Sequence, residues 1–351
     1  MLTAIHVVPT GVGAEIGGYA GDATPVTHLL ASVVDRLIVN PNVLNAAVLF
    51  HKPPNATYVE GLALDGWLSG RWALSPRRAQ RVGLVLDRAV EAMPEGTLNS
   101  ILNAANAAKA VHGVDLVGYT LTNEPLGCRL EMSPSGLSTG TMERPAALLE
   151  AAERLVAAGA TAIAVMADLG PSPPELEKAY EAGRGVDPVG GLEAIASHLV
   201  VDALGVPCAH APLLPFDPTP PALVDPRSAA ESLGHTYLPC VLLGLSGHPS
   251  LVEVQTPGAW LPDEVSAMIV PSGCVGGAGA LAAHDRGIPL IVVQDNRTAL
   301  TLSPADLGLK GIIEVRSYLE AAGVLACMRA GVDWRSCFRP LEPTFEIFTK
   351  F

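Results

Sequence analysis

Short apolar runs alternate with longer, alanine-rich stretches of helical spacing along most of the chain. The apolar runs at residues 5–8, 36–39, 82–86, 115–121, 161–166, 206–210, 268–270 and 290–293 predict strands, and 46–50 is a weaker member of the same set. Between them a 3.6-residue period predicts helices over 26–34, 98–111, 146–158 and 191–204. Repeated β-then-α units imply an α/β fold: open, mostly parallel sheets with helices on both faces, arranged as two Rossmann-like lobes. An α/β barrel is the competing architecture, and the uneven spacing of the units favours the open sheet. Two segments break the rhythm. Residues 51–78, with Pro53, Pro54, Trp67 and Trp72, read as an excursion from the sheet. Residues 211–227 carry six prolines, a density that excludes regular helix and central strand alike. The expected layout is an N-terminal lobe over 1–210, a linker over 211–227 and a C-terminal lobe over 228–351.

Composition narrows the class of partner. Only 16% of the 351 residues are charged while 49% are hydrophobic, against a usual charged share of roughly 25%. So thin a polar coat fits either a homo-oligomer or a large alanine-rich core. The net charge of −13, with no basic stripe, argues against nucleic acid. The opening residues have neither the basic region nor the apolar run of a signal peptide. No stretch is both uncharged and glycine-poor for long enough to span a bilayer. The six cysteines are scattered without a CxxC pair, as expected of reduced thiols. A cytoplasmic protein without a membrane partner is expected.

Chemistry concentrates at three places. Residues 268–296 form a strand–glycine loop–helix–strand unit. The backbone of Ser272, Gly273, Gly276 and Gly277, with the helix N-terminus behind it, would suit an anion. The loop lacks the Lys-Ser/Thr ending of a P-loop, so ATP is not supported. Cys274 would be an activated thiol there if exposed and an inert one if buried. The earlier loop, 11–22, offers Gly11 and Gly13. It misses the G-x-G-x-x-G spacing by one residue and carries Glu15, which would repel a phosphate, so NAD is not supported either. Glu15 and Asp22 would instead suit hydroxyl or amine groups, or a phosphate-bound magnesium ion.

The third constellation is 187–212. Glu193 and Ser197 lie one helical turn apart, and Cys208 and His210 point to the same face of a strand. Glu193 or His210 is the candidate acid–base group, with Cys274 a further catalytic candidate. His198, Cys208 and His210 would make a zinc site only if they converge, and their spacing matches no strong zinc pattern. Ligands of open parallel sheets bind beyond the carboxyl ends of the strands. That rule adds Asn123, Glu124, Asp295 and Asn296 as binding candidates.

The segments TGVGAEIGGYAGDATP, NPNVLNAA, YVEG, GVDPVGGLEAIASH and PSGCVGGAGALAAHDRGIPLIVVQDN together resemble an uncharacterised family of cyanobacterial and plastid proteins, catalogued as a domain of unknown function. The resemblance spans essentially the whole chain and implies a photosynthetic source, and it brings no catalytic residues with it. Two local likenesses are weaker. The 268–296 unit is similar to the donor-binding loop of two-domain nucleotide-sugar enzymes, and residues 189–193 are similar to a segment of nicotinate-nucleotide phosphoribosyltransferases. The expected function is an enzyme, of transferase or isomerase/lyase type, acting on a small anionic metabolite. The alternative is a non-catalytic metabolite sensor or assembly factor on the same scaffold.

Overall fold

The computed structural model describes residues 1–215, 223–234, 236–341 and 343–344. Along the chain come strand β1 (Thr3–His6), helix α1 (Thr24–Ala31), β2 (Arg36–Val39), the short α2 (Pro41–Leu44), β3 (Ala56–Tyr58) and α3 (Gly61–Leu68). A three-residue strand, β4 (Ala73–Ser75), leads to β5 (Arg81–Leu86), α4 (Thr97–His112) and β6 (Asp115–Leu121). A hairpin of β7 (Cys128–Met132) and β8 (Ser138–Met142) precedes α5 (Pro145–Ala157), β9 (Ala162–Ala167), α6 (Pro174–Glu181), α7 (Gly190–Leu204), β10 (Cys208–Pro212) and α8 (Leu238–Ser246). The chain then returns through β11 (Ser250–Val252) to β12 (Ala267–Pro271), α9 (Ala278–Asp285), β13 (Leu290–Val293), β14 (Ile313–Val315) and α10 (Tyr318–Ala330).

The predicted α/β class holds. One sheet has six parallel strands in the order β14-β13-β12-β1-β2-β3, and a second has four in the order β10-β9-β5-β6. With β1 to β3 counted first and β12 to β14 after them, the large sheet has the 3-2-1-4-5-6 order of a Rossmann fold. The sheets do not divide at the Pro-rich segment. β1–β3 and β12–β14 share one sheet, whereas α8, which follows that segment, packs on β9 and β10 of the other. The smaller lobe is thus inserted between the third and fourth strands of the larger one. Its entry and exit, β4 and β11, pair antiparallel through Ser75↔Ser250 and Ala73↔Val252. Of the expected linker, residues 216–222 lie outside the described residues.

The strands read as continuous apolar runs because helices cover both faces. In the small sheet Val82, Leu84, Ala162, Ala164 and Met166 face α4 and α8. Val85, Ile163 and Val165 face α5 and α7, in a core that continues without a break into the large lobe. In the large lobe α1 packs with α10, and α3 with α9. Contact between α3 and α7 joins the lobes. Two predicted elements change. Residues 46–48 form a 3-10 turn rather than a strand, because Asn40-Pro41 starts a helical segment there. The 51–78 segment is no excursion, since Ala56–Tyr58 closes one edge of the large sheet. Among the described residues no helix is long and apolar enough to cross a membrane.

Candidate functional site

In a sheet of this order the strand direction of travel reverses between β1 and β12, and the loops leaving those two strands part to open a crevice. The small lobe closes over that crevice. Two adjoining cavities result, of about 170 Å³ and about 240 Å³, and Pro9, Thr10, Pro41 and His210 line both. The first also takes Gly11 and Gly13 from the β1 loop, Asn42, Asn45 and Tyr58 from the large lobe, and Tyr180, Asp187, Glu193, Glu231 and Tyr237 from the small one. The second takes Glu60, Asp65, His198, Cys274 and the start of α9.

Local sequence puts α7 in position. Its first residues, Gly190 and Gly191, press against Thr10 and the β8 backbone. A Cβ on Gly191 would stand 2.0 Å from the Ser138 carbonyl oxygen. The N–H groups that the helix start leaves open are taken locally. Asp187 accepts from Val189 (3.0 Å) and the Ser138 hydroxyl accepts from Gly191 (3.1 Å). One turn in, Glu193 faces the first cavity, and Ser197, fully buried behind the cavity wall, reaches His210 and Glu60.

Four side chains form a line across the cleft. His210 Nδ1 lies 2.8 Å from the Ser197 hydroxyl, which lies 3.3 Å from Glu60 Oε1. His210 Nε2 lies 3.9 Å from Glu193 Oε2. With Nδ1–H donating to Ser197, the lone pair of Nε2 is left facing Glu193 and the cavity. Burial dominates the electrostatics. It pushes the His210 imidazole down to about 3, with nearby His198 adding to the effect. It pushes Glu60 up to about 7 and Glu193 well above the usual carboxyl range, Asp187 and Glu231 adding to the latter. The Glu193–His210 contact is therefore a neutral acid beside a neutral base rather than an ion pair. Glu60 is fixed from behind: its side chain accepts from Leu62 N–H, and its own N–H donates to His248 Nε2 at 3.0 Å.

The α9 N-terminus, expected as the anion cradle, already faces an anion. Asp65 of α3 accepts the Gly279 N–H, and burial raises its carboxyl to about 6. No lysine or arginine lines either cavity.

A family model described as "Protein of unknown function (DUF3326)" matches residues 3–337. The chain belongs to this family. An uncharacterised lipoprotein of Synechococcus sp. is 46% identical over 338 residues, covering 95% of this chain and 92% of its own length. No solved structure matches significantly.

Within this DUF3326 chain the expected site residues divide. Glu193, His210, Gly11, Gly13 and Gly277 line the cleft. Cys274 also borders it, but it is buried and its thiol rises to about 11, the inert outcome rather than the activated one. Gly273 and Gly276 serve packing, against the Leu300 carbonyl and Leu302 respectively. Ser272 bonds Gln294 and lines neither cavity, and Asp295 pairs with Arg316. Glu15 pairs with Arg297 at 2.7 Å. Asn296 is fully buried and ties the Ile16 backbone to the Tyr318 hydroxyl. Asn123 and Glu124 end the edge strand β6, away from both cavities, engaged by Glu150, Arg154 and Arg144.

Among the described residues no three His, Cys, Asp or Glu side chains are placed to hold a metal ion. The zinc set fails because Cys208 points into the apolar core while His210 turns to Ser197. Nor do Glu15 and Asp22 meet: Asp22 accepts the Gly17 N–H and faces Arg227. Sequence reasoning missed Glu60, Asp187, Glu231 and the three tyrosines of the first cavity. The signal for Glu60 was its place directly after the Ala56–Tyr58 strand, hidden by the proline- and tryptophan-rich surroundings.

Proposed function

We propose that the interlobe cleft is the active site of an enzyme that moves protons on a small metabolite, an isomerase- or lyase-type reaction. His210 Nε2 is the base, Glu193 the acid, and Ser197 with Glu60 the positioning pair that holds the imidazole. The observation that carries this reading is the Glu60–Ser197–His210–Glu193 line, with a neutral base and a protonated acid 3.9 Å apart at the wall of a cavity. At neutral pH the imidazole is free to accept a proton and the carboxyl holds one to give, the protonation states that opposite transfers require. The lining departs from the anionic ligand that the glycine loops suggest. Carboxyls and tyrosines surround the first cavity, and Asp65 occupies the helix end of the second.

Incubation of the purified protein with a metabolite extract, followed by mass spectrometry, tests the proposal. Consumption of a compound is expected, falling about 10²-fold or more in His210→Asn and Glu193→Gln. Ser197→Ala should lower kcat more than it raises KM. Variants that stay folded and keep the wild-type rate would overturn the assignment. A second reading, a ligand receptor without turnover, fits the same cleft, which two lobes joined through β4 and β11 enclose. It predicts thermal stabilisation by a compound that is never consumed.

A further inference from the structure

We infer that the ligand of the first cavity carries a protonated amine, seated among Asp187, Glu193 and Glu231. The inference rests on the reading of the cleft as the ligand site. The three carboxyls come from separate places in the small lobe: the loop ahead of α7, the first turn of α7 and the 3-10 turn at Ser228–Leu233. Two already have partners. Asp187 accepts from Val189 N–H, and Glu231 accepts from Ala20 N–H and the Tyr180 hydroxyl, both at 2.8 Å.

Glu193 differs. Its side chain is only 10% exposed, and Oε1 has no hydrogen-bond partner. Across the same cavity Asn45 Oδ1 is likewise buried without one. Both vacancies are acceptors, so the molecule that fills them must donate. An ammonium group has three donors, no acceptor and the opposite charge. An anion would bring acceptors to acceptors, and a hydroxyl has a single donor for the two vacancies.

No arginine lines the cavity, and Arg227 behind it is held mainly by other groups. Arg227 donates to Gly183 and Ala14 carbonyls, lies over the Tyr19 ring and faces Asp22. Besides the three acids, the titratable groups facing the cavity are Tyr58, Tyr180, Tyr237 and His210, with Asp22, Tyr19 and Arg227 behind them. Burial keeps protons on the acids of the empty site: Asp187 is raised to about 7 and Glu193 further. A bound ammonium expels the proton of Asp187, while Glu193 keeps its own on Oε2, toward His210, and offers Oε1 as an acceptor. Affinity for an amine therefore rises with pH between 6 and 8, by up to about tenfold per pH unit for each proton released.

Calorimetric titration of the full chain with 1,4-diaminobutane, and with 1,4-butanediol as its neutral isostere, is the test. The diamine is expected to bind with proton release, more tightly at pH 8 than at pH 6. The diol and inorganic phosphate should not bind. Asp187→Asn and Glu231→Gln should each weaken the diamine at least tenfold with the circular dichroism spectrum unchanged. Equal binding of the diol, preference for phosphate, binding of magnesium chloride in place of the diamine, or no diamine binding would each overturn the inference. The two readings fail separately. Metabolite consumption that is lost in His210→Asn, without amine binding, keeps the enzyme and removes the amine. Amine binding with no consumption of any metabolite does the reverse.

Discussion

Single residues set the shape of the cleft before any chemistry does. Gly191 allows α7 to reach the β8 backbone, and no side chain has room there. Gly191→Ala should cost about 1–3 kcal/mol through the forced shift of the helix start, read as a lower urea midpoint. An unchanged midpoint would mean that α7 does not approach β8 this closely. The one-turn spacing of Glu193 and Ser197, and the place of His210 on its strand, are legible in the sequence because they follow from local periodicity. Their partner Glu60 is not, since it lies 137 positions from Ser197 and the pairing exists only after the lobes meet. The glycine-loop candidates that turned to packing, Gly273 and Gly276, show the limit of the same approach. A glycine needed for close backbone approach looks the same in sequence whether a ligand or a neighbouring loop approaches.

At the scale of elements, the strand–loop–helix unit of β12, α9 and β13 is where expectation and outcome part most clearly. The sequence reads the start of α9 as open to an anion, and the fold brings Asp65 from α3 to that place. A carboxylate from a neighbouring helix supplies what a ligand would, a charged acceptor at the positive end of a helix. Asp65→Ala should cost about 1–3 kcal/mol, the loss of a part-buried hydrogen bond to a charged group. It should also open the α9 N-terminus to inorganic phosphate, measured as phosphate-dependent thermal stabilisation in the variant and none in the parent. Stabilisation of both alike would show that Asp65 does not occupy the position. The long helices α4, α5 and α7 and the two-sided strands were legible because their patterns are long, whereas the 13-residue α10 went unread. The three-residue strands β3, β4, β11 and β14 were not, because so few residues display no period.

For the whole molecule, buried ionisable groups give stability a definite pH dependence. Glu60 and Asp187 near 7, and Asp22 and Asp65 near 6, lie above the roughly 4 of an unfolded carboxyl. Between those values the folded chain holds more protons than the unfolded one. This contribution is complete below about pH 4 and is lost as pH rises through the folded values. His6 and His210 near 3 and His248 near 4 act in the opposite sense, removing stability as pH falls below about 6.5. Above 6.5 the histidines are neutral in the folded chain and increasingly so in the unfolded one, so the carboxyls dominate. Stability should therefore decline from pH 6.5 to 8, and Asp187→Asn should flatten the decline. Urea unfolding at the two pH values checks this, and equal or greater stability at pH 8 would contradict it. The two parallel sheets were legible in the sequence as repeated β–α units, but their nesting was not, because nothing local marks which strands share a sheet. That nesting also orders events in time. β1 is central to the large sheet, yet its Ala4 pairs with Ala267, whereas every strand of the inserted sheet lies between Arg81 and Pro212. As the chain emerges from the ribosome, the inserted strands are all available while β1 still shows an unpaired edge, which a chaperone or an aggregating neighbour can find. The junction of β4 and β11 then brings the two halves back together at little entropic cost. The centre of the large sheet closes only after the whole inserted lobe has been made.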